Sequence, residues 1–186
     1  MKLSDITRTE VFFTGSLYRA CENENSGIEK LLKDKLGIGG TVEIIDSSFE
    51  VCLFRDFSMA YSLERENKSF EKQTFDNVFV LSDGSIVLVE AKAHQGFDPK
   101  QIQQMKKAAE KIVASDIPFN KVYLVGLCSS EYTPKLSTIA SFDAVITWKE
   151  ISSCFNDEKH TFMRADSIYN DRVAKKKRQR AASSHI

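Results

Sequence analysis

The sequence lacks several features that mark large classes of protein. No apolar run in the 186 residues approaches the length of a membrane span, and the N-terminus has no apolar segment typical of a secretory signal. The formal net charge is zero, which argues against strong nonspecific binding to nucleic acid, so any such binding needs local clusters of charge. We therefore expect a soluble, cytoplasmic protein that does not associate with membranes.

Cysteine is scarce and dispersed along the chain. The four cysteines form no Cys-x-x-Cys pair, and three of them lie in apolar contexts. They are Cys21, Cys52, Cys128 and Cys154. This pattern predicts reduced thiols in the core of a cytosolic protein and argues against a zinc site.

The composition that is present is that of one globular domain. Apolar residues make up 42% of the chain and charged residues 28%, and 186 residues suffice for one sizeable core. The chain becomes polar from residue 165 onward. We predict a folded domain over residues 1–165 and a polar, basic tail over residues 166–186. The basic block from Lys175 to Arg180 could be a flexible nucleic-acid arm or a solubilising tail.

Hydrophobic periodicity and turn residues predict a chain in which helices and strands are mixed. Asp5 or the serine before it should cap the first helix, Ser26 the second, and Asp98 the third, with Pro99 at its first position. Helices are expected over about 5–21, 27–36 and 99–114, with a last short helix that starts at Trp148. Strands are expected over 41–45, 49–61, 121–128 and 142–147, besides the two strands of a hairpin.

The most informative stretch of the chain is that hairpin. Asp76 opens one apolar run and Glu90-Ala91-Lys92 closes the next, with Asp83-Gly84, a strong hairpin signal, between them. Glu90 and Lys92 share one face, because residues two apart in a strand do so. Two carboxylates and an ammonium that converge cost free energy unless a cation or a substrate uses them. Mg²⁺ is typically bound by one or two carboxylates, and water and phosphate oxygens complete its coordination shell.

The length of the hairpin loop decides whether the two carboxylates share a face. A two-residue loop places Asp76 opposite Ala91, and therefore on the other face from Glu90. A three-residue loop places Asp76 opposite Glu90. That loop needs a left-handed residue at its last position, and Gly84 stands there. We predict the three-residue loop or an equivalent bulge.

Asp76, thirteen intervening residues and then Glu90-Ala91-Lys92 resemble the core motif of the PD-(D/E)XK nuclease superfamily. The resemblance covers the hairpin and, by order of elements, roughly residues 5–148. It implies an α/β fold with a restriction-endonuclease-like core, in which a mixed central β-sheet is flanked by helices in the order helix, three antiparallel strands, helix, strand. Phe75 stands where the name-giving proline would be, and that proline is often absent in the superfamily.

The resemblance also implies roles for these residues. Asp76 and Glu90 would bind Mg²⁺, for which Mn²⁺ can substitute, and the backbone carbonyl of Ala91 would supply a third oxygen. Lys92 would orient the attacking water and stabilise the transition-state charge on the phosphoryl group.

The superfamily usually adds a carboxylate from the first helix. On a helical wheel Glu10 points with the apolar stripe of that helix, Glu22 lies well off it, and Glu29 lies at the edge of its own helix's apolar face. A carboxylate aimed at a core needs a partner such as a cation, unless it is a flank residue whose head reaches water. We select Glu10 and keep Glu22 as the alternative, because Glu22-Asn23-x-x-Ser26 resembles a string found in some members.

The helix that begins at Pro99 offers further candidates. Gln101 falls on its apolar face, where the superfamily often places a polar residue that faces the active site; the alternative is a buried glutamine satisfied by the backbone. Lys100, Lys107 and Lys111 line the opposite face, which could contact nucleic-acid phosphates or could simply be solvated.

Two histidines, His94 and His160, have no partner at the spacing of metal ligands. We interpret both as surface residues, although His94 is close enough to Lys92 to line the cleft.

These features together predict a Mg²⁺-dependent phosphodiesterase that hydrolyses nucleic acid, with DNA favoured over RNA and an endonuclease favoured over an exonuclease. Prokaryotic defence, restriction or repair is the setting that the resemblance implies. The compact chain has little room for a separate domain that recognises the substrate, so a homodimer or a partner subunit would supply substrate recognition. The alternative is a non-catalytic nucleic-acid-binding or assembly subunit that retains the nuclease scaffold.

Overall fold

The computed structural model describes residues 9–52, 55–56 and 73–183, with side chains as far as residue 174. Its helices and strands alternate in the manner of an α/β domain. In chain order they are α1 (Glu10–Asn23), α2 (Ser26–Leu36), β1 (Ile44–Val51), β2 (Phe75–Leu81), β3 (Ser85–Ala91), α3 (Pro99–Val113), β4 (Lys121–Cys128), α4 (Leu136–Ile139), β5 (Ala144–Thr147), α5 (Trp148–Cys154) and α6 (Lys159–Ser183).

The five described strands form one mixed sheet in the order β1-β2-β3-β4-β5. β1, β2 and β3 are antiparallel neighbours, whereas β4 is parallel to β3 and β5 is parallel to β4. The α/β class and the mixed sheet flanked by helices were predicted and are confirmed. β3 lies in the middle of the sheet, and every one of its seven residues is buried, which explains its continuous apolar sequence.

Each face of the sheet packs on its own apolar core. The core on one face includes residues of α1, α2, α5 and α6, and the core on the other includes residues of α3. β3 contributes side chains to both cores, because successive residues of a strand point to opposite faces. Val87 and Val89 belong to the first core, and Ile86 and Leu88 belong to the second. The end of β3 is therefore held between two packed layers.

The first two helices begin at positions that differ from the prediction. α1 begins at Glu10, because Thr9 has the extended backbone of an N-cap, and the predicted start near Asp5 falls outside the described residues. Its expected apolar stripe is present, since Phe13 and Leu17 are buried. In α2 the N-cap is Asn25, and Ser26 is already helical.

The strand before the hairpin also differs from the prediction. Residues 44–51 form one strand, with a register shift near its start, where a strand over 41–45 and another from residue 49 were expected. The polar segment from Asp46 to Ser48 lay between the two predicted strands. It is compatible with a strand here because β1 is an edge of the described sheet and exposes one side to water. The predicted strand over 49–61 was wrong in part, because β1 ends at Val51 and residues 55–56 are helical; residues 53–54 and 57–61 lie outside the described residues.

The second half of the chain follows the predicted elements closely. Asp98 caps α3 by accepting a hydrogen bond from the Lys100 amide, with Pro99 at the first helical position. β4 spans the predicted residues, and β5 begins two residues later than predicted. α5 has a capping box between Thr147 and Glu150.

The last helix runs across the predicted boundary at residue 165. α6 spans Lys159–Ser183, and its residues Phe162, Ala165 and Ile168 are fully buried in the first core. Further along, Arg172 donates a hydrogen bond to the backbone carbonyl of His94. The segment after residue 165 therefore begins as part of the packed domain.

Two further expectations concern membranes and thiols. Across the described part of the chain, no helix combines the length and the apolar character needed to cross a bilayer. None of the four cysteines, all of which lie in the described ranges, forms a disulfide, and three of them are buried, as predicted for core cysteines.

Candidate active site

The hairpin has the three-residue loop that was predicted. Val80 pairs with Ile86 and Asn77 with Val89, which is the register of a loop over residues 82–84. Gly84 has a φ of 81°, the left-handed conformation that this loop requires, and its amide donates to the carbonyl of Leu81 at 3.0 Å. In this register the residues that follow Asn77 and Val89 toward the open end of the hairpin are Asp76 and Glu90.

The side chain of Asp76 is hydrogen-bonded to the last residue of β3. Its Oδ2 accepts a hydrogen bond from the Ala91 amide at 2.6 Å. The contact brings the Asp76 carboxylate to the point where Glu90, Ala91 and Lys92 follow one another. The three residues assigned to metal binding from the sequence are therefore adjacent.

Glu90 and Lys92 form a buried ion pair. Oε1 of Glu90 lies 2.5 Å from Nζ of Lys92, and the Glu90 side chain is only 1% exposed. Oε2 of Glu90 has no hydrogen-bond partner among the described residues. A buried carboxylate oxygen without a partner is uncommon and requires an explanation.

The backbone of Lys92 is fixed from two directions. Its amide donates to the carbonyl of Leu127 in β4 at 2.7 Å, and its carbonyl accepts from Nε1 of Trp148 in α5 at 3.2 Å. Trp148 is itself fully buried. The lysine side chain therefore leaves from a rigid point of the sheet.

Glu10 brings a third carboxylate to this place from the start of α1. Its Oε2 lies 3.8 Å from Nζ of Lys92, and its Oε1 lies 3.6 Å from Nδ1 of His94. α1 is tied to the hairpin by Asn77, a buried residue of β2 whose amide group donates to the Thr14 carbonyl at 3.0 Å. Asn77 was not identified from the sequence, although a polar residue inside an apolar strand is a recognisable signal.

The electrostatics of the site show an excess of buried negative charge. Burial is the main cause that raises the pKa of Asp76 to about 6, and the charges of Glu10 and Glu50 add to it, while the hydrogen bond from Ala91 and the charge of Lys92 oppose it. Burial also raises the pKa of Glu90 to about 7, with the charge of Asp76 as the next cause. The carboxylates are therefore close enough to repel each other.

The same negative charge stabilises the protonated form of Lys92. Burial alone would lower its pKa, but the nearby carboxylates, above all Glu90, outweigh burial and raise it. The ammonium is thus charged at neutral pH, and it is one cation beside three acidic groups. A further cation would relieve the remaining repulsion.

Glu50 is an additional acidic residue at the site that was not identified from the sequence. It lies in β1 between two residues whose partners in β2, Asn77 and Phe75, flank Asp76. Its φ of 55° is left-handed, which is uncommon for a residue other than glycine and is found at functional sites. No sequence pattern predicts such a conformation at a glutamate.

The other acidic candidates have different surroundings. Glu22 is exposed near the far end of α1, where its Oε1 accepts a hydrogen bond from the Tyr18 hydroxyl at 2.7 Å. Glu29 accepts from the Ile44 amide at 3.0 Å and pairs with Lys33 in α2. Of the three carboxylates considered from the first two helices, Glu10 is the one that contacts Lys92.

The candidates on α3 are not joined to this cluster by any described contact. Gln101 is half-buried in the first turn, and its side chain makes no hydrogen bond to a described residue. Lys100 and Lys107 are exposed and Lys111 is half-buried, on the side of α3 opposite its buried residues. Their predicted roles stay predictions.

The two histidines differ from each other in position. His160 is exposed near the start of α6. His94, interpreted from the sequence as a surface residue close enough to Lys92 to line the cleft, lies 3.6 Å from Glu10 and is anchored through its carbonyl by Arg172. The contact with Arg172 joins residues 78 positions apart, and short-range sequence patterns do not reveal such a pair.

The chemistry of the site fits a hard divalent cation. Asp76, Glu90 and the Ala91 carbonyl offer oxygen atoms of the kind that such an ion binds, and Oε2 of Glu90 is a buried oxygen without a partner among the described residues. Within the ranges that the structure describes, no three His, Cys, Asp or Glu side chains form a ready-made metal site. Mg²⁺ commonly uses only one or two carboxylates together with water, so the pair of Asp76 and Glu90 is compatible with it.

Comparison with known proteins adds no family to this picture. No protein-family model, no curated protein and no solved structure matches the chain significantly. Assignment of a function therefore depends on the geometry of the site and on the sequence motif.

Proposed function

We propose that this protein is a metal-dependent nuclease with a restriction-endonuclease-like core, which hydrolyses phosphodiester bonds in DNA in preference to RNA. An endonuclease fits the proposal better than an exonuclease, and defence, restriction or repair in a prokaryote is its proposed setting. The observation that carries the proposal is the convergence of Asp76, Glu90 and Lys92 at the end of β3, with one buried carboxylate oxygen left without a partner. A buried cluster of this kind costs free energy of folding, which a function would explain.

The proposed roles follow from charge and position. Asp76 and Glu90, with the Ala91 carbonyl, would hold Mg²⁺ or Mn²⁺, which when bound supplies Lewis-acid stabilisation of phosphoryl charge and an acidified water. Lys92 would contact the attacking water and the phosphoryl oxygens, since a compact ammonium on a fixed backbone suits that position. Glu10 would keep this ammonium and the His94 ring in place from the side of α1.

The proposed nucleic-acid surface lies on α3. Lys100, Lys107 and Lys111 recur on one side of the helix and would contact backbone phosphates, which position a duplex without reading its sequence. Gln101 in the first turn of the same helix is a proposed contact to the substrate near the site. A partner subunit or a second copy of the chain would add sequence or structure recognition.

Cleavage assays test the proposal directly. Supercoiled plasmid, single-stranded DNA and RNA would each be incubated with the purified protein and Mg²⁺, Mn²⁺ or EDTA. We expect metal-dependent nicking or linearisation of DNA, lost in the Glu90→Gln variant and kept in Glu43→Gln, which makes the same change at an exposed glutamate. Equal cleavage by wild type and Glu90→Gln would indicate a contaminating nuclease and remove support for the site.

The close contact between Lys92 and Glu90 favours one alternative, a non-catalytic subunit that retains the scaffold. At 2.5 Å the ammonium already neutralises the carboxylate that a metal would need. Calorimetric titration with Mn²⁺ distinguishes the two functions. Binding that requires Asp76 supports the nuclease, whereas DNA binding without metal binding or cleavage supports the subunit.

A further inference from the structure

The surroundings of the His94 ring differ from those of a histidine with a purely structural role. Its Nδ1 is buried and has no hydrogen-bond partner among the described residues, and the nearest acidic atom, Oε1 of Glu10, lies 3.6 Å away. The side chain as a whole is 35% exposed, so the exposed part of the ring lies on the side away from Nδ1. Buried ring nitrogens of structural histidines are normally paired at hydrogen-bond distance.

His94 stands at one end of a continuous row of charged groups. Glu90 contacts Lys92 at 2.5 Å, Lys92 lies 3.8 Å from Oε2 of Glu10, and the other oxygen of Glu10 faces His94. The two oxygens of the Glu10 carboxylate therefore face two different groups, the ammonium of Lys92 and the imidazole of His94.

The main chain around His94 is fixed although the ring edge is accessible. Ala93 is fully buried, and the His94 carbonyl accepts a hydrogen bond from Nη1 of Arg172 at 2.8 Å. Arg172 belongs to α6, whose preceding turns pack in the core. A side chain on such a backbone can be held in one position relative to Lys92.

We propose that His94 is a catalytic residue, the general acid that protonates the leaving oxygen; this inference rests on the proposed nuclease function. Water oxygen forms a bond to phosphorus and gives up one proton to solvent, the bond from phosphorus to the leaving oxygen breaks, and its electron pair goes to that oxygen. The proton on Nε2 of His94 passes to the leaving oxygen, while the Glu10 carboxylate faces the Nδ1 side of the ring at 3.6 Å. The neutral imidazole then regains a proton from solvent at its exposed edge.

The arrangement assigns His94 to the leaving group and not to the attacking water. In phosphoryl transfer the attacking and leaving oxygens lie roughly in line, on opposite sides of phosphorus. Lys92 is paired with Glu90, a proposed metal ligand, and is therefore assigned to the attacking water. His94 faces the other oxygen of Glu10 and is paired with no proposed metal ligand, so the role left for it is at the departing oxygen.

A substrate with a sulfur leaving group tests this role. Departure of a thiolate needs no proton, so an oligonucleotide with one 3′-bridging phosphorothiolate would be compared with the ordinary phosphodiester, both with Mn²⁺. For His94→Gln we expect cleavage of the ordinary diester to fall by about 10²- to 10⁴-fold, and cleavage of the sulfur substrate to stay within a few-fold of wild type. Lys92→Ala should lose cleavage of both substrates, and His160→Gln, an exposed histidine changed in the same way, should lose neither.

The outcomes separate this inference from the proposed function. If His94→Gln loses both substrates equally, or neither, His94 is not the general acid, and the nuclease function stands on the wild-type result. If wild type with metal cleaves neither substrate, the proposed function itself fails and the inference with it. Should His94→Gln fold poorly, His94→Gly with added imidazole replaces it, and absence of rescue on the ordinary diester would overturn the inference.

Discussion

Nζ of Lys92 lies 2.5 Å from Oε1 of Glu90 and 3.8 Å from Oε2 of Glu10, so one buried ammonium serves two carboxylates from different layers of the fold. Glu90 comes from the central strand and Glu10 from the first helix. The relationship gives Lys92 a structural effect in addition to its proposed catalytic one. Experiments on this residue therefore need to separate stability from chemistry.

Replacement of Lys92 by methionine should destabilise the protein while retaining its fold. Removal of one partner from a buried ion pair typically costs about 3 to 5 kcal/mol, because the other charge stays buried without compensation. We expect a smaller loss at pH 5, where the raised pKa values let Asp76 and Glu90 protonate. Urea unfolding at pH 5 and pH 8 measures the difference, with Lys135→Met, at an exposed lysine, as the control. An equal loss at both pH values would contradict the electrostatic explanation.

The stability of the metal-free protein should decrease as pH rises from about 4 to about 7. Burial raises the pKa of Asp76 from 3.8 to about 6 and that of Glu90 from 4.5 to about 7. The folded state therefore binds more protons than the unfolded chain in this window, and the free energy of unfolding falls as those protons leave. The change should be on the order of a few kcal/mol for the pair, at about 1.4 kcal/mol per pKa unit.

Unfolding in EDTA across this pH range checks the sign. A double variant, Asp76→Asn with Glu90→Gln, should give a flatter profile than wild type. Added Mg²⁺ should stabilise wild type more at pH 8 than at pH 5, because the carboxylates that bind it must be ionised. Parallel profiles for wild type and the double variant would show that these two groups do not carry the effect.

Replacement of Asp76 by asparagine should stabilise the metal-free protein at pH 8 and weaken divalent-ion binding. The amide oxygen can still accept the hydrogen bond from Ala91, and the buried charge that repels Glu90 is removed. We expect a gain of about 1 to 3 kcal/mol. Thermal melts and Mn²⁺ calorimetry measure the two effects, with Asp34→Asn on the surface of α2 as the matched control. A variant that binds Mn²⁺ as tightly as wild type would exclude Asp76 as a ligand.

Neutralisation of the three lysines of α3 should weaken DNA binding and its dependence on salt. Each phosphate contact that is lost should reduce the slope of log K against log salt concentration by about 1. The triple alanine variant of Lys100, Lys107 and Lys111 would be compared with alanines at Lys30, Lys135 and Lys149, three exposed lysines elsewhere. An unchanged slope would place the phosphate contacts on another surface.

The sequence was sufficient for those parts of the site that depend on local geometry. Gly84 requires a positive φ in a three-residue loop, and that loop fixes the register that brings Asp76 to the end of β3. The 3.6-residue period of α1 likewise predicted that Glu10 would point with the buried side of its helix.

The parts that could not be predicted depend on distant contacts or on unusual backbone. The position of His94 is set by Arg172, which lies 78 residues further along the chain. Glu50 has a left-handed backbone, which changes the direction of a side chain in a way that simple alternation does not describe. The prediction left the polar residues 46–48 of β1 between two separate strands, and only the sheet order shows that they belong to one strand at an edge.

Trp148 is the only tryptophan of the chain, and its indole N–H donates to the carbonyl of Lys92. The ring is fully buried, so its emission should be that of an indole in an apolar environment. The protein thus contains an intrinsic fluorophore one hydrogen bond away from its proposed catalytic lysine. Any ligand that displaces the end of β3 will change the emission of this one residue, without a label and without competing signal from a second indole.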